Sequence, residues 1–356
     1  MPLQTHIKQL IEQTGPINMA EFMQLALAHP KYGYYKSKEP FGAEGDFTTA
    51  PEISQMFGEL IGMWCADIWH KMGTPQDIEL VEIGPGRGTL MKDFLRATRK
   101  IPGFHESISI SMVETSDRLS EIQHQAINHL HPRVKWFTEI SKIPNKPVII
   151  VANELFDALP VRQYIKQDDK WHEKQVGLNQ NGELDFMLLK SSTTHEKKHE
   201  HTKNGSVIEV CTTAMSIIET LSQKIKQYGG AALIIDYGYN EPEYKNTLLA
   251  IGNHKQCNLL ENIGEVDISA HVDFAMLKNF AEHFGMTAYG PTFQGEFLQK
   301  IGIDIRTETL LNNATEKQQK DIKTARDRLI GNNKDQMGEL FKVLALTNTE
   351  IKPEGF

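Results

Sequence analysis

Cysteine is scarce in this chain of 356 residues, and the three present, Cys65, Cys211 and Cys257, are odd in number, far apart and never arranged as C-x-x-C. That spacing excludes a disulfide framework, a zinc ribbon and a dithiol redox motif, and it suits a reducing compartment. Positive charge is also short: 38 Lys and Arg stand against 46 Asp and Glu, a formal net charge of −8, with no long basic run. Such a surface is not built to follow a phosphate backbone, so nucleic acid is not an expected partner. No uninterrupted apolar run approaches the roughly 18 residues of a membrane span. The opening residues, Met1-Pro2-Leu3-Gln4-Thr5-His6, lack the basic stretch and apolar core of an export signal. The expectation is a cytoplasmic protein without membrane insertion, or a mitochondrial matrix protein if the source is eukaryotic and a leader has been removed. There is no internal repeat, and the length suits one large domain or a core domain with a sizeable insertion.

What stands out is Glu79-Leu80-Val81-Glu82-Ile83-Gly84-Pro85-Gly86-Arg87-Gly88-Thr89-Leu90, a short apolar strand that ends in a glycine-punctuated turn and opens a helix. Glycine serves there because the turn needs φ > 0 and because a side chain would keep a ligand away from the backbone and the helix N-terminus. A dinucleotide site wants G-x-G-x-x-G or A, and Thr89 stands where the third small residue belongs. G-x-G-x-G preceded by an acid, Glu82, is instead the pattern of S-adenosylmethionine methyltransferases. The next strand, Ile108-Ser109-Ile110-Ser111-Met112-Val113, runs into Glu114, with Thr115 and Ser116 as helix-cap candidates. An acid at that strand end is placed to accept both ribose hydroxyls.

From 78 to 156 strands alternate with helices at 78–84, 89–99, 108–114, 117–130, 134–137 and 147–152, which calls for a parallel sheet covered on both faces. Val148-Ile149-Ile150-Val151-Ala152 is apolar throughout and belongs at the centre of that sheet. Residues 1–73 read as a helical N-terminal region, in which 32–51 is a candidate lid or an ordinary surface connection. Residues 74–356 read as the main domain, with an insertion at about 161–229. Alternating stretches at Trp171–Val176 and Leu184–Leu189, separated by Asn179-Gln180-Asn181-Gly182, predict an antiparallel hairpin there. His195 and His199 have metal-ligand spacing, but the low-complexity segment 193–201 lacks apolar structure to hold them, so no metal is expected. Another buried strand ends in Asp236-Tyr237-Gly238, helices are expected at 272–284 and 305–330, and Gly338–Leu346 supplies a final strand.

In an open parallel sheet ligands bind beyond the carboxyl ends of the strands. The central strand ends in Asn153-Glu154-Leu155-Phe156-Asp157-Ala158-Leu159-Pro160, where Glu154 and Asp157 are candidates to grip a cationic acceptor. They serve equally to cap a following helix and to pair with a base such as Arg162. In Gly264–Phe274, His271 is a candidate proton acceptor near neutral pH. The other reading has Asp273 cap the helix while His271 packs on it.

With these segments in hand, the chain resembles the MidA-like family of class I S-adenosylmethionine-dependent methyltransferases. The matching blocks are Gly45–Glu52, Glu82–Met91, Val113–Ser116, Asn153–Pro160, Ile235–Gly238 and 264–274, spread over nearly the whole chain. The family pattern usually has Phe where Leu155 stands. The resemblance implies an α/β fold, with a Rossmann-like seven-stranded methyltransferase core, the helical N-terminal region and an inserted β-rich segment. It implies S-adenosyl-L-methionine as cofactor, S-adenosyl-L-homocysteine as product and a protein arginine as acceptor, since the family is similar to a mitochondrial complex I assembly factor that methylates an arginine. The cofactor candidates are Glu82, Gly84, Gly86, Gly88, Thr89, Glu114, Thr115, Asn153, Asp46 and Thr48; the catalytic candidates are Glu154, Asp157 and His271. A methyltransferase acting on a small molecule or another side chain, and a non-catalytic assembly chaperone, are the competing readings. A protein substrate is the expected partner, and the sequence is silent on oligomeric state.

Overall fold

The computed structural model describes residues 2–37, 49–190, 199, 201–241, 243–252, 255–333, 336–348 and 351–356. Two compact units emerge: residues 1–47, 157–215 and 242–271 form one, and residues 48–156, 216–241 and 272–356 form the other.

The second unit is built on an eight-stranded sheet. Seven of its strands, in chain order, are β1 (Ile78–Ile83), β2 (Ile108–Val113), β3 (Val134–Phe137), β4 (Val148–Asn153), β5 (Gly230–Tyr239), β6 (Thr287–Phe293) and β7 (Phe341–Thr347). They lie in the order β6-β7-β5-β4-β1-β2-β3. The eighth, Val272–Asp273, pairs in parallel with the end of β5. β1 to β5 run parallel, while β7 is antiparallel to both β5 and β6. Every residue of β1 and β4 is buried. This is why Val148–Ala152 of β4 reads as a continuous apolar run: helices cover both faces of a parallel sheet and leave no wet side for alternation, and in β1 even Glu79 and Glu82 are buried. The seven-stranded α/β core expected from the sequence is present.

The register sets up the site. Ile83 lies beside Val113 on one side and Ala152 on the other, so β1, β2 and β4 end together. Their last residues therefore deliver Gly84, Glu114 and Asn153 to one rim. The helix α1 (Gln55–Lys71) packs on α2 (Thr89–Thr98) through a face of small residues. A β-carbon on Gly58 would lie 2.9 Å from the Leu90 carbonyl oxygen, and one on Gly62 would lie 3.1 Å from Phe94 Cα. That close approach fixes where α2, and hence the turn before it, begins. A short helix, Ala50–Ile53, is separated from α1 at Ser54, which is extended and whose hydroxyl accepts from the Met56 N–H.

In the other unit, Pro2–Thr14 buries Leu3, Ile7 and Ile11, one helical stripe, and Met19–Ala28 begins with a capping box between Asn18 and Glu21. These helices share a core with Val161, Val176 and Ile268. Five short antiparallel strands, Ile17–Asn18, Lys170–Leu178, Arg162–Gln167, Val207–Val210 and Leu184–Lys190, make one sheet, which contains the expected β-rich insertion and its hairpin. A second sheet of Lys255–Cys257, Leu249–Gly252 and Asp267–Ser269 was not expected. Nor was β6. The long helix expected over 305–330 is two, Ile303–Leu311 and Glu316–Ile330, divided where Thr315 and Gln318 form a capping box. Among the described residues no helix is long and apolar enough to cross a membrane.

Candidate functional site

The turn after β1 has the conformation that its glycines permit: φ is +66° at Gly84, +54° at Gly86 and +78° at Gly88, all in the region that L side chains avoid. Gly84 N–H donates to the Val113 carbonyl at 3.0 Å, which ties the turn to the end of β2. Gly88 N–H bonds back to Pro85 O at 2.8 Å, and α2 starts at Thr89. The Thr89 hydroxyl donates to Glu52 Oε1.

Glu114 continues from β2, with its N–H on the Phe137 carbonyl at 2.9 Å. Its Oε1 accepts from Ser116 N–H at 2.7 Å and its Oε2 from Gln123 Nε2 at 3.2 Å. The same Gln123 nitrogen donates to the Gly86 carbonyl at 2.8 Å, so one amide spans the acid and the turn. The carboxyl and the glycine bend therefore share one donor, Gln123 Nε2. Thr115 is exposed beside it, and Ser116 caps the helix α3 (Asp117–Ile127). No spacing rule picks out Gln123, the residue that joins these parts.

Glu82 is 3% exposed, and burial pushes its carboxyl up to about 8. Its Oε2 is buried without a hydrogen-bond partner among the described residues, and so is Asn153 Oδ1 at the end of β4. Two orphaned acceptors at the ends of neighbouring strands suit a ligand that brings N–H donors, as the ammonium of an aminoacyl sulfonium does. The glycine cradle, the strand-end acid and these acceptors together fit S-adenosylmethionine.

Glu154, the next residue, is held at φ +50°, an uncommon conformation for a residue with a side chain. Its Oε1 accepts from Ala50 N–H at 2.8 Å and from Asn153 Nδ2 at 3.2 Å. Asp236, within β5, is fully buried, with Oδ2 accepting from the N–H groups of Leu155 at 3.1 Å and Phe156 at 2.8 Å. The strand expected to end at 236–238 runs on to Tyr239, and the grip of Asp236 on the 154–156 turn was not readable.

Asp157 and His271 belong to the other unit. Their backbones adjoin there, because Ala270 N–H donates to Asp157 O at 2.9 Å, while His271 N–H donates to Thr247 Oγ1 at 2.9 Å. Nearby, Tyr35 OH donates to Asp267 Oδ1 at 3.1 Å; burial first, then the charges of Asp267 and Asp157, push this phenol well above its ordinary range. Arg162 pairs with Glu173 at 2.6 Å, and Asp273 caps its helix through Met276 N–H at 2.8 Å. Asp46 and Thr48 lie outside the described residues, as does His195. His199 Nδ1 is 3.1 Å from the Tyr244 hydroxyl, and among the described residues no cluster of three His, Cys, Asp or Glu could hold a metal.

Comparison with known proteins follows the same lines. Residues 60–292 match the model of a family described as "Putative S-adenosyl-L-methionine-dependent methyltransferase". The mitochondrial protein arginine methyltransferase NDUFAF7 of Danio rerio is 35% identical over 372 residues, 97% of this chain and 86% of that protein. The human protein of the same name is 35% identical over 97% of this chain and 83% of its own. A crystal structure from Burkholderia thailandensis bound to S-adenosyl-homocysteine superposes with a TM-score of 0.85 at 26% identity, covering 99% of this chain and 94% of that one. The MidA-like resemblance and the cofactor reading stand on these matches, and the chain belongs to this family of S-adenosyl-L-methionine-dependent methyltransferases.

Proposed function

We propose that this methyltransferase acts on an arginine guanidinium of a protein substrate. The observation that carries the acceptor is the full-length likeness, about one residue in three over 97% of the chain, to proteins named protein arginine methyltransferase. The left-handed Glu154 supports it, since a carboxylate fixed after the central strand of a methyltransferase sheet suits a planar cation.

The donor, when bound, supplies an electrophilic methyl group on a sulfonium. Gly84, Gly86 and Gly88 give it close backbone approach, Glu114 accepts the ribose hydroxyls with Thr115 beside it, and Glu82 and Asn153 receive the aminoacyl end. Thr89 closes the turn against Glu52, and Asp46 and Thr48 are assigned to the same cofactor set from the sequence block they occupy. Glu154 is the candidate to orient the guanidinium, which is protonated in water because its pKa exceeds about 12; Asp157 is assigned to the same role from the sequence block it occupies. His271 is the candidate to take the proton released on methylation, as imidazole is the side chain that exchanges protons near neutral pH. A cytoplasmic location, or the mitochondrial matrix in a eukaryotic source, is the compartment reading. A role in respiratory complex I assembly belongs with the second, and the relatives' names include the word mitochondrial.

The test is incubation of the full chain with a methyl-labelled donor and cell extract, followed by peptide mapping. Label on an arginine, absent with Gly86→Val, supports the proposal. Label on a small molecule or on another side chain selects the competing enzyme reading. A cellular role that survives Gly86→Val selects the chaperone reading.

A further inference from the structure

Gln123 is fully buried on α3, and its side-chain amide touches three separate segments. Nε2 donates to Gly86 O at 2.8 Å in the turn after β1 and to Glu114 Oε2 at 3.2 Å after β2, while Oε1 accepts from Trp136 Nε1 at 2.8 Å on β3. This pattern fixes which way the amide faces: reversing it sets an oxygen against two acceptors and a nitrogen against a donor. A buried glutamine that only filled space would carry the cost of desolvating its amide, whereas here each bond offsets that cost.

We propose that Gln123 is a positioning residue for the methyl donor: it holds the Glu114 carboxylate toward the glycine turn and thereby sets the affinity for the adenosyl ribose. The inference rests on Glu114 as the ribose acceptor. A glutamate side chain has three rotatable bonds, and Glu114 is only partly buried. Ser116 N–H holds one oxygen and Gln123 the other, so the carboxylate waits in a single orientation and little is lost in ordering it when ligand binds. Trp136 completes the device, because its indole N–H keeps the glutamine from turning to solvent.

Four variants of the full chain, Gln123→Met, Gln123→Glu, Glu114→Gln and the double Glu114→Gln/Gln123→Met, are titrated calorimetrically with S-adenosyl-homocysteine and melted alongside. Gln123→Met should bind about ten- to a hundredfold more weakly. In the Glu114→Gln background it should cost no more than about a further twofold, because the group it positions is gone. Gln123→Glu places a carboxyl among three groups of which two are acceptors, so its affinity should fall as pH rises from about 5 to 8, whereas native binding shows no such fall. That profile also decides the matter if the Met variant does not fold. Gln123→Met binding within twofold of native, a loss that adds in full to that of Glu114→Gln, or a Gln123→Glu profile like the native one would overturn the inference while leaving Glu114 in its role. Native-like binding by Glu114→Gln removes the ribose reading, and this inference with it.

Discussion

Gly84 passes so close to Leu155 that a β-carbon on it would stand 2.8 Å from Leu155 Cδ1. The glycine turn and the segment after β4 are thus packed into one rim, and φ at Gly84 is +66°. Gly84→Ala therefore meets both a left-handed backbone and a clash. We expect a loss of about 1–3 kcal/mol, seen as a lower melting temperature. Adding Leu155→Ala should recover the steric part and leave the backbone part; a double variant no more stable than Gly84→Ala would mean that the two residues are not coupled.

Asp236 supplies acceptors to Leu155, Phe156 and Tyr237 N–H, the last at 2.9 Å. Asn at this position replaces one acceptor with a donor facing N–H groups. Asp236→Asn should cost about 1–3 kcal/mol and lower kcat more than donor affinity, since the turn it braces carries Glu154. Equal losses in kcat and in S-adenosyl-homocysteine binding would contradict this division.

Burial raises the Glu82 carboxyl to about 8 in the folded chain from an ordinary value of 4.5. Its folded state favours the protonated form, so the stability linked to it is full below about 4.5 and declines as pH rises through 8. Glu82→Gln keeps the shape without the proton equilibrium. The melting temperature of the variant minus that of the native chain, both free of ligand, should climb from pH 5 to 8 and level off above. A flat difference would mean that the carboxyl is solvated.

His105 and His131 face each other edge-on with ring centroids 5.7 Å apart. Both are held below the ordinary 6.5, His105 by burial and then the charge of His131, His131 by burial and then Arg133 against an opposing backbone hydrogen bond. Depressed histidine pKa values favour the neutral rings in the fold, so this contribution is present above 6.5 and is lost as pH falls through the lower folded values. Thermal melts from pH 7.5 to 5 should show a decline in stability that His131→Gln reduces. An unaltered slope in the variant would assign the decline elsewhere.

Much of the core was legible because β4 and the first half of β5 are buried on both faces and show it as apolar runs, Val148–Ala152 and Ala231–Ile235, while β1 and β2 are strands with buried polar residues among the apolar ones. The acid at 114 and the glycine turn were legible because backbone conformation and strand-end position restrict residue type. Gln123 was hidden: it lies on a helix whose polar residues are mostly solvated, and nothing local marks a glutamine that bonds to Gly86, 37 positions away. β6 was hidden by Gly290-Pro291, a turn signal that an edge strand tolerates at its register shift between Tyr289 and Thr292. The break before Glu316 was in plain sight as Thr315-x-x-Gln318, but the single helix expected over 305–330 ran through it. Arg162, an expected partner for Glu154 or Asp157, is held instead by Glu173 across the strand pair, a long-range pairing that local sequence does not specify.

The most direct measurement is calorimetric titration of the full chain with S-adenosylmethionine and, separately, with NAD. Saturable heat with the sulfonium donor, abolished by Gly86→Val and absent with NAD, is the predicted result. Heat with NAD alone would contradict the assignment of the turn at 84–88 and the acid at 114 to an adenosyl methyl donor.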